Sequence, residues 1–176
     1  MQRAARWTVV AIAAMGLAVP ALGQETGRGT FINAEGKPVG SLTVEHVASG
    51  TMFLLKLHDM PPGVHGIHIH GIGKCTPPSF DSAGPHFNPA GHQHGKDNPK
   101  GPHAGDLNNL TIPADGKLEL QIDMPGIALR GQGGLLDEDG ASIVIHANAD
   151  DYKTDPSGNS GPRIACAPIE IDDRQE

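Results

Sequence analysis

Residues 66–70 read GIHIH. Alternate side chains of an extended strand point to opposite faces, so His68 and His70 share one face while Ile67 and Ile69 share the other. Two imidazoles on one face fit a structural pair, a proton relay or half of a metal site. The stretch therefore predicts a buried strand with polar chemistry on one face, and the other histidines decide between these interpretations.

Short alternating runs separated by glycine-containing turns follow one another along the chain. Apolar residues alternate in SLTVEH (41–46), MFLLKL (52–57) and KLELQID (117–123), and SIVIHA (142–147) is almost continuously apolar. Turns are predicted at ASG (48–50), ADG (114–116) and EDG (138–140). Beyond the first 23 residues no stretch shows sustained helical periodicity. This pattern predicts one all-β domain, an antiparallel sandwich or barrel.

The first 23 residues have the composition of a cleaved leader. Two arginines precede the apolar stretch WTVVAIAAMGLAVPA (7–21), and ALG (21–23) ends in small residues spaced as in a cleavage signal. A membrane anchor is disfavoured because the run is short and contains Pro20. We expect a Sec-type signal peptide over residues 1–23, export to the periplasm, and a flexible N-terminus over residues 24–29.

The charge balance is acidic. The full chain has a formal net charge of -7, and removal of residues 1–23 takes away Arg3 and Arg6 but no acidic residue, which leaves -9. The chain contains no block of lysine or arginine. This balance argues against nucleic acid and against an anionic membrane surface as partners.

The two cysteines, Cys75 and Cys166, both follow the leader. An even number of cysteines in an exported chain favours one disulfide over a cysteine metal site. The bridge would close a loop of about ninety residues and contribute roughly 4–5 kcal/mol in the chain-entropy treatment.

Residues 71–108 lack alternation and are rich in glycine, proline, histidine and asparagine. A loop of this length inside a compact domain is uncommon unless it is functional or disordered. Imidazole and carboxylate side chains bind zinc and copper, and the candidate ligands are His68, His70, His86, His94, His103, Asp106 and His146. Spacing alone leaves open one metal or two, and it leaves open a zinc hydrolase.

Four segments, in consistent order, resemble the copper/zinc superoxide dismutases of the exported bacterial kind. They are GIHIHGIGKC (66–75), GPHFNP (84–89), HAGDLNNL (103–110) and IVIHANADDYKTDPSGNSGPRIAC (143–166). The resemblance implies that residues 30–176 form one domain of this family. Its fold would be a Greek-key antiparallel β-sandwich, or flattened barrel, with a long metal-binding loop.

The same resemblance implies a set of site residues. The implied copper ligands are His68, His70, His86 and His146, and the implied zinc ligands are His86, His94, His103 and Asp106. His86 would bridge both ions, Asp150 would link a copper histidine to a zinc histidine, and Arg163 would be the active-site arginine. Cys75 and Cys166 match the family disulfide. We expect the other histidines near these motifs to be non-ligands, namely His46, His58, His65 and His92.

The activity implied by the resemblance is dismutation of superoxide to oxygen and hydrogen peroxide, which would protect the cell envelope. The implied cofactors are copper and zinc, and the implied assembly is a monomer or a homodimer. The alternative is a non-catalytic periplasmic copper/zinc-binding protein on the same fold. Because the net charge would repel superoxide, we expect Lys74, Lys96 and Lys100 to supply a local positive field.

Overall fold

The computed structural model describes residues 26–131 and 133–171. Ten strands and a single 3-10 helix, Asp81–Ala83, lie within these ranges. The strands are β1 (Thr26–Asn33), β2 (Pro38–Val47), β3 (Gly50–Leu57), β4 (Gly63–His65), β5 (Ile67–His70), β6 (Leu110–Ile112), β7 (Leu118–Pro125), β8 (Ser142–His146), β9 (Arg163–Pro168) and β10 (Glu170–Ile171).

The strands form a curled antiparallel sheet. Its order is β5-β8-β9-β1-β2-β3-β7, with β10 beside β1, while β4 pairs with β6 in a separate ribbon. The chain leaves β7 at one edge and enters β8 near the other, which is the long crossing of a Greek key. The prediction of an all-β, Greek-key antiparallel fold is confirmed.

The strand β3 shows why the alternating runs were informative. Thr51, Phe53, Leu55 and Leu57 are buried on the core face, while the residues between them are half-buried or exposed. Strand β2 pairs with β3 through a tight hairpin. In these strands the alternation of apolar residues in the sequence therefore matches the alternation of side chains between the two faces of the sheet.

Strands β5 and β8 differ because all their residues are buried. On one face, Ile67 and Ile69 of β5 join Ile143 and Ile145 of β8 in the main core. The other face of β5 carries the two histidines of GIHIH, which are also fully buried. Both faces of this part of the sheet are therefore covered.

Two parts of the long loop, near residues 85–87 and 105–106, lie along the edge of β5. The Ile69 N–H donates to the Gly105 carbonyl oxygen over 2.9 Å, and the Phe87 N–H donates to the Ile69 carbonyl oxygen over 2.8 Å. A Cβ at position 105 would collide with that Ile69 oxygen, so the close approach requires glycine. These bonds place Asp106 opposite His68 and His86 opposite His70, as isolated antiparallel β-bridges.

Cys75 and Cys166 form the expected disulfide. Cys166 lies in β9 and packs with Phe80, Ala83 and Val144 in a second small core. The bridge therefore ties the start of the long loop, and the 3-10 helix within it, to the sheet.

The N-terminal strand begins earlier than the sequence suggested. Residues 26–29, expected to be flexible, pair with β2 and β10. Gly27 and Gly29 conceal the strand in the sequence because they interrupt apolar alternation, yet at Gly29 a Cβ would collide with the Pro168 carbonyl oxygen. The predicted leader, residues 1–23, lies outside the described residues. Within the described ranges no helix has the length and apolarity needed to cross a membrane.

Candidate metal centre

Four histidines bring one ring nitrogen each to a common point. We call His68, His70, His86 and His146 the four-nitrogen cluster, because one ligand atom from each lies within 4.8 Å of the others. All four side chains are buried. Within the described residues, the nitrogens His68 Nδ1, His70 Nε2, His86 Nε2 and His146 Nε2 have no hydrogen-bond partner.

The second nitrogen of each ring is bonded to an oxygen. The partners are Asp150 Oδ2 for His68 Nε2 at 2.7 Å, the Gly84 carbonyl for His70 Nδ1 at 2.8 Å, Asp106 Oδ1 for His86 Nδ1 at 2.8 Å and the Gly161 carbonyl for His146 Nδ1 at 3.1 Å. An oxygen acceptor places the proton on the nitrogen that faces it. Each unpartnered nitrogen therefore presents a lone pair to the cluster.

Four convergent lone pairs in a buried site suit a cation. Burial, the largest cause, lowers the pKa of His70 to about 2, of His146 to about 3 and of His86 to about 4. These three rings are therefore neutral at neutral pH, and each has a nitrogen free to bind a cation. Four imidazole nitrogens without a thiolate suit copper. The residues present fit that metal.

A second cluster surrounds one carboxylate oxygen. Asp106 Oδ1 lies 2.8 Å from His86 Nδ1, 3.0 Å from His94 Nδ1 and 3.1 Å from His103 Nδ1. We call these four residues the Asp106 cluster. Three imidazoles and one carboxylate are a closed ligand set suited to zinc.

The second carboxylate oxygen of Asp106 is also hydrogen-bonded. Its Oδ2 accepts the backbone N–H groups of Gly95 at 2.8 Å and His103 at 3.0 Å. Burial raises the pKa of Asp106, but the bonds to His86, His94 and the Gly95 N–H outweigh it and hold the pKa well below its usual range. The carboxylate is therefore ionised and ready to bind a cation.

His68 also brings a nitrogen within 4.8 Å of His86, His94 and Asp106. We nevertheless assign His103 to the Asp106 cluster. Both nitrogens of His68 have other positions, one in the four-nitrogen cluster and one on Asp150, whereas His103 Nδ1 directly contacts Asp106.

Asp150 joins the two clusters from behind. Its Oδ2 lies 2.7 Å from His68 Nε2, and its Oδ1 lies 3.0 Å from His94 Nε2. Burial opposes protonation of His94, but its bonds to Asp106 and Asp150 prevail and raise its pKa to about 9. A side chain at Gly158 would overlap the Asp150 carboxylate, so a glycine at this position leaves room for the contact.

Arg163 lies at the wall of a cavity of about 890 Å³ that reaches His70, His86 and His146. Its Nη1 donates to the Phe80 carbonyl oxygen at 2.6 Å, and its Nη2 donates to the Gly84 carbonyl oxygen at 2.8 Å. Two bonds to the backbone hold the planar guanidinium in place. The cavity therefore combines a fixed cation with the four-nitrogen cluster.

The other histidines lie outside both clusters. His58 pairs with Asp59, and the exposed His92 directs its Nδ1 to the Pro102 carbonyl oxygen. His65 is buried, and its two nitrogens contact the carbonyl oxygens of His146 at 2.8 Å and Pro61 at 2.9 Å. Neither cluster includes His46, which lies in β2.

Comparison with known proteins shows the family of the chain. The sequence profile of the family described as "Copper/zinc superoxide dismutase (SODC)" matches residues 39–169. The chain belongs to the copper/zinc superoxide dismutase family. It is an oxidoreductase that dismutates superoxide, and its cofactors are copper and zinc.

Individual members of the superoxide dismutase family resemble this chain over most of its length. "Superoxide dismutase [Cu-Zn] 2" of Aquifex aeolicus is 43% identical over 142 residues, which are 79% of this chain and 83% of the relative. The crystal structure of a SOD-like protein from Bacillus subtilis has a TM-score of 0.77 at 43% identity, covering 80% of this chain and 96% of that chain. Cu/Zn superoxide dismutase from Brucella abortus has a TM-score of 0.67 at 29% identity, covering 83% and 100%.

Acidic residues line the cavity of this superoxide dismutase site. Asp81, Asp137 and Asp155 line it together with Arg163, whereas Lys74, Lys96 and Lys100 do not. Lys96 Nζ donates to Asn108 and lies 3.8 Å from the centre of the Tyr152 ring. A positive field from the three lysines, which would act from outside the cavity wall, stays a prediction.

Sequence reasoning missed three residues that support the superoxide dismutase site. Gly84 contributes a carbonyl oxygen, Gly158 contributes space, and Asn109 bonds the backbone of Asp150. All three lie inside the quoted motifs, so proximity to the ligands was the available signal. Their contacts depend on the path of the loops, which alternation does not report.

Proposed function

We propose that the four-nitrogen cluster binds the copper, the Asp106 cluster binds the zinc, and the His86 ring bridges them. One observation carries this assignment. Nε2 of His86 belongs to the four-nitrogen cluster, while Nδ1 of the same ring lies 2.8 Å from Asp106 Oδ1. A deprotonated imidazole has a lone pair on each nitrogen and can therefore bind two cations.

When bound, copper supplies a one-electron couple and zinc supplies a fixed positive charge. Two superoxide ions and two protons give one oxygen molecule and one hydrogen peroxide molecule. We assign a proton-carrying role to His86 Nε2, which takes up a proton between the two half-reactions and donates it to the peroxide. Its Nδ1 stays within the Asp106 cluster, so the ring keeps its orientation.

Arg163 orients the substrate in this proposal. Its side chain is half-buried at the cavity wall, and both terminal nitrogens donate to carbonyl oxygens. A guanidinium stays charged and cannot act as the proton donor. It attracts the superoxide anion and holds it beside the four-nitrogen cluster without adding chemistry of its own.

We further propose that the enzyme acts in the periplasm and protects the cell envelope. The leader-like residues 1–23 and the disulfide both suit an oxidising compartment outside the cytoplasm. The test is fractionation of cells expressing the full chain, with N-terminal sequencing of the product. A cytoplasmic product that keeps residues 1–23 contradicts the proposal.

The bridge is tested with cobalt(II) in the Asp106 cluster and copper(II) in the four-nitrogen cluster. Through a common ring the two paramagnetic ions couple, so the copper EPR signal is lost on cobalt loading and persists with zinc. His92→Gln, outside both clusters, is the control and should behave as the wild type. A copper signal that cobalt leaves unchanged contradicts the bridge.

Superoxide consumption by the copper- and zinc-loaded protein distinguishes an enzyme from a metal-binding module. An Arg163→Ala variant with full metal content should lose most of the rate. A wild-type protein that binds both metals without consuming superoxide would support the alternative of a non-catalytic periplasmic copper/zinc-binding protein.

A further inference from the structure

The side chain of Asn109 pairs with the backbone of Asp150. Its Nδ2 donates to the Asp150 carbonyl oxygen, and its Oδ1 accepts the Asp150 N–H, each over 2.9 Å. Both polar atoms of the amide are thus used on one residue. Asn109 also begins an Asn-x-Thr triplet of the glycosylation type, but the nitrogen that a glycan would occupy is the one that donates here.

Tyr152 completes the contact. Its hydroxyl oxygen accepts the Asn109 N–H at 2.8 Å, and its own N–H donates to Asp150 Oδ1 at 2.6 Å. Asp150 is buried and Asn109 is half-buried, so water competes little for these bonds. Four hydrogen bonds among three residues fix the main chain on both sides of the Asp150 carboxylate.

This arrangement joins two segments that carry different parts of the site. Asn109 lies three residues after Asp106, and Asp150 lies four residues after His146. The Asp150 carboxylate in turn lies between His68 and His94, one from each cluster. Asn109 is thus linked to both clusters through Asp150, since its side-chain hydrogen bonds go to the Asp150 backbone.

We propose that Asn109 is a positioning residue, which holds the Asp150 carboxylate between His68 and His94 and so sets the geometry and affinity of both metal clusters. The inference rests on the proposed assignment of copper and zinc to these clusters. Removal of a side chain that orients a metal ligand weakens metal binding about 10–100-fold. For Asn109, which acts through such a side chain, we expect a loss of about tenfold in metal affinity.

Two substitutions test the role. Asn109→Ser removes both side-chain bonds without adding charge, and Asn109→Asp keeps an acceptor but turns the donor into an oxygen facing the Asp150 carbonyl. Asn108→Ser and Asn108→Asp are the matched controls, because the neighbouring Asn108 is exposed and its Oδ1 accepts a hydrogen bond from Lys96 Nζ. The readouts are zinc affinity by chelator competition, the absorption bands of cobalt(II) in the Asp106 cluster and the copper(II) EPR parameters.

Asn109 variants should bind zinc about tenfold more weakly and shift both spectra, whereas the Asn108 variants should match the wild type. In a double-mutant cycle, Asn109→Ser should cost no zinc affinity in an Asp150→Ala background, since its effect passes through that carboxylate. A purely structural residue would lower thermal stability and leave both spectra unmoved.

The proposal is overturned by Asn109 variants that match their Asn108 controls, or by effects that add in the double-mutant cycle. Failure of both Asn109 variants to fold with the disulfide intact assigns the residue to fold stability and also overturns it. A wild-type protein that fails to bind both metals contradicts the proposed function itself, whatever the variants do.

Discussion

Arg163 and His70 share one acceptor, the carbonyl oxygen of Gly84. The Arg163 Nη2 and the His70 Nδ1 each donate to it over 2.8 Å. This oxygen therefore couples the orientation of the Arg163 guanidinium to that of the His70 ring in the four-nitrogen cluster. Gly84 follows the 3-10 helix that the disulfide ties to the sheet.

Substitution of Arg163 by lysine tests the value of this shared acceptor. A lysine keeps the charge but cannot make both bonds to the Phe80 and Gly84 carbonyl oxygens. Loss of one well-oriented bond from a charged group, worth about 1.5–3 kcal/mol, should lower kcat/KM about tenfold or more. The measurement is superoxide consumption at equal copper and zinc content, and an unchanged rate would show that charge alone suffices.

The acidic cavity wall should slow the approach of the anionic substrate. Asp137 lines the cavity and its Oδ1 accepts the backbone N–H of Asp139, a bond that asparagine can keep. Asp137→Asn should raise kcat/KM about twofold at low ionic strength and lose this advantage as the Debye length falls to about 8 Å. Asp139→Asn is the control, because it removes an equal charge from a residue that does not line the cavity. Equal effects of the two variants on kcat/KM would show that the net charge of the molecule, and not the charge of the cavity wall, slows the substrate.

Stability of the metal-free protein should be greatest near pH 6.5. Below this pH the unfolded chain gains protons at His70, His86 and His146, whereas their lowered pKa values keep them neutral in the folded state. Stability therefore falls as the pH falls, by about 1.4 kcal/mol per pH unit for each ring that protonates only on unfolding.

Above pH 6.5 the direction reverses because of His94. Its raised pKa, about 9, keeps it protonated in the folded state after the unfolded chain has lost that proton, so stability falls as the pH rises towards 9. Urea unfolding at pH 4.5, 6.5 and 8.5 checks both limbs. Stability that rises or falls steadily across this range would contradict the buried neutral rings or the paired His94.

Reduction of the disulfide should affect both stability and activity. The bridge joins cysteines 91 residues apart, and its loss should lower the stability of the metal-free protein by about 4–5 kcal/mol in the chain-entropy treatment. It also releases the segment that presents the Phe80 and Gly84 carbonyl oxygens to Arg163, so the metal-loaded protein should lose activity. The Cys75→Ser/Cys166→Ser variant should show the same losses without any reductant, which separates loss of the bridge from reduction of copper. Wild-type activity in this variant would contradict the structural explanation.

The two-residue alternation of side chains in the sequence was enough to predict individual strands. Alternation in MFLLKL and in GIHIH predicted β3 and β5 because alternate side chains of a strand point to opposite faces of the sheet. The ligand candidates were predictable because they lie in segments that resemble the metal-binding motifs of the family. No pattern of apolar residues could show that Gly29 is a strand residue, since its role is close contact with another backbone.

The supporting contacts of the site were beyond sequence reasoning for a related reason. Gly84, Asn109 and Gly158 act through a carbonyl oxygen, an amide pair and an absent side chain, and each partner is distant in the chain. The three lysines show the same difficulty. Their presence in the long loop predicted a positive field near the site, but the sequence does not show towards which side of the loop a side chain points, and Lys96 lies against Tyr152.

The two clusters differ in what carries their ligands. His68 and His70 lie on β5 and His146 ends β8, so hydrogen bonding of the sheet already positions three of the four rings of the four-nitrogen cluster. His94 and His103 lie outside regular strands, so a zinc ion bound as proposed would hold the segment between residues 86 and 106 in place. Part of its binding free energy would then go into ordering that segment. Through mass action, the free zinc of the surroundings would set how often the segment is ordered.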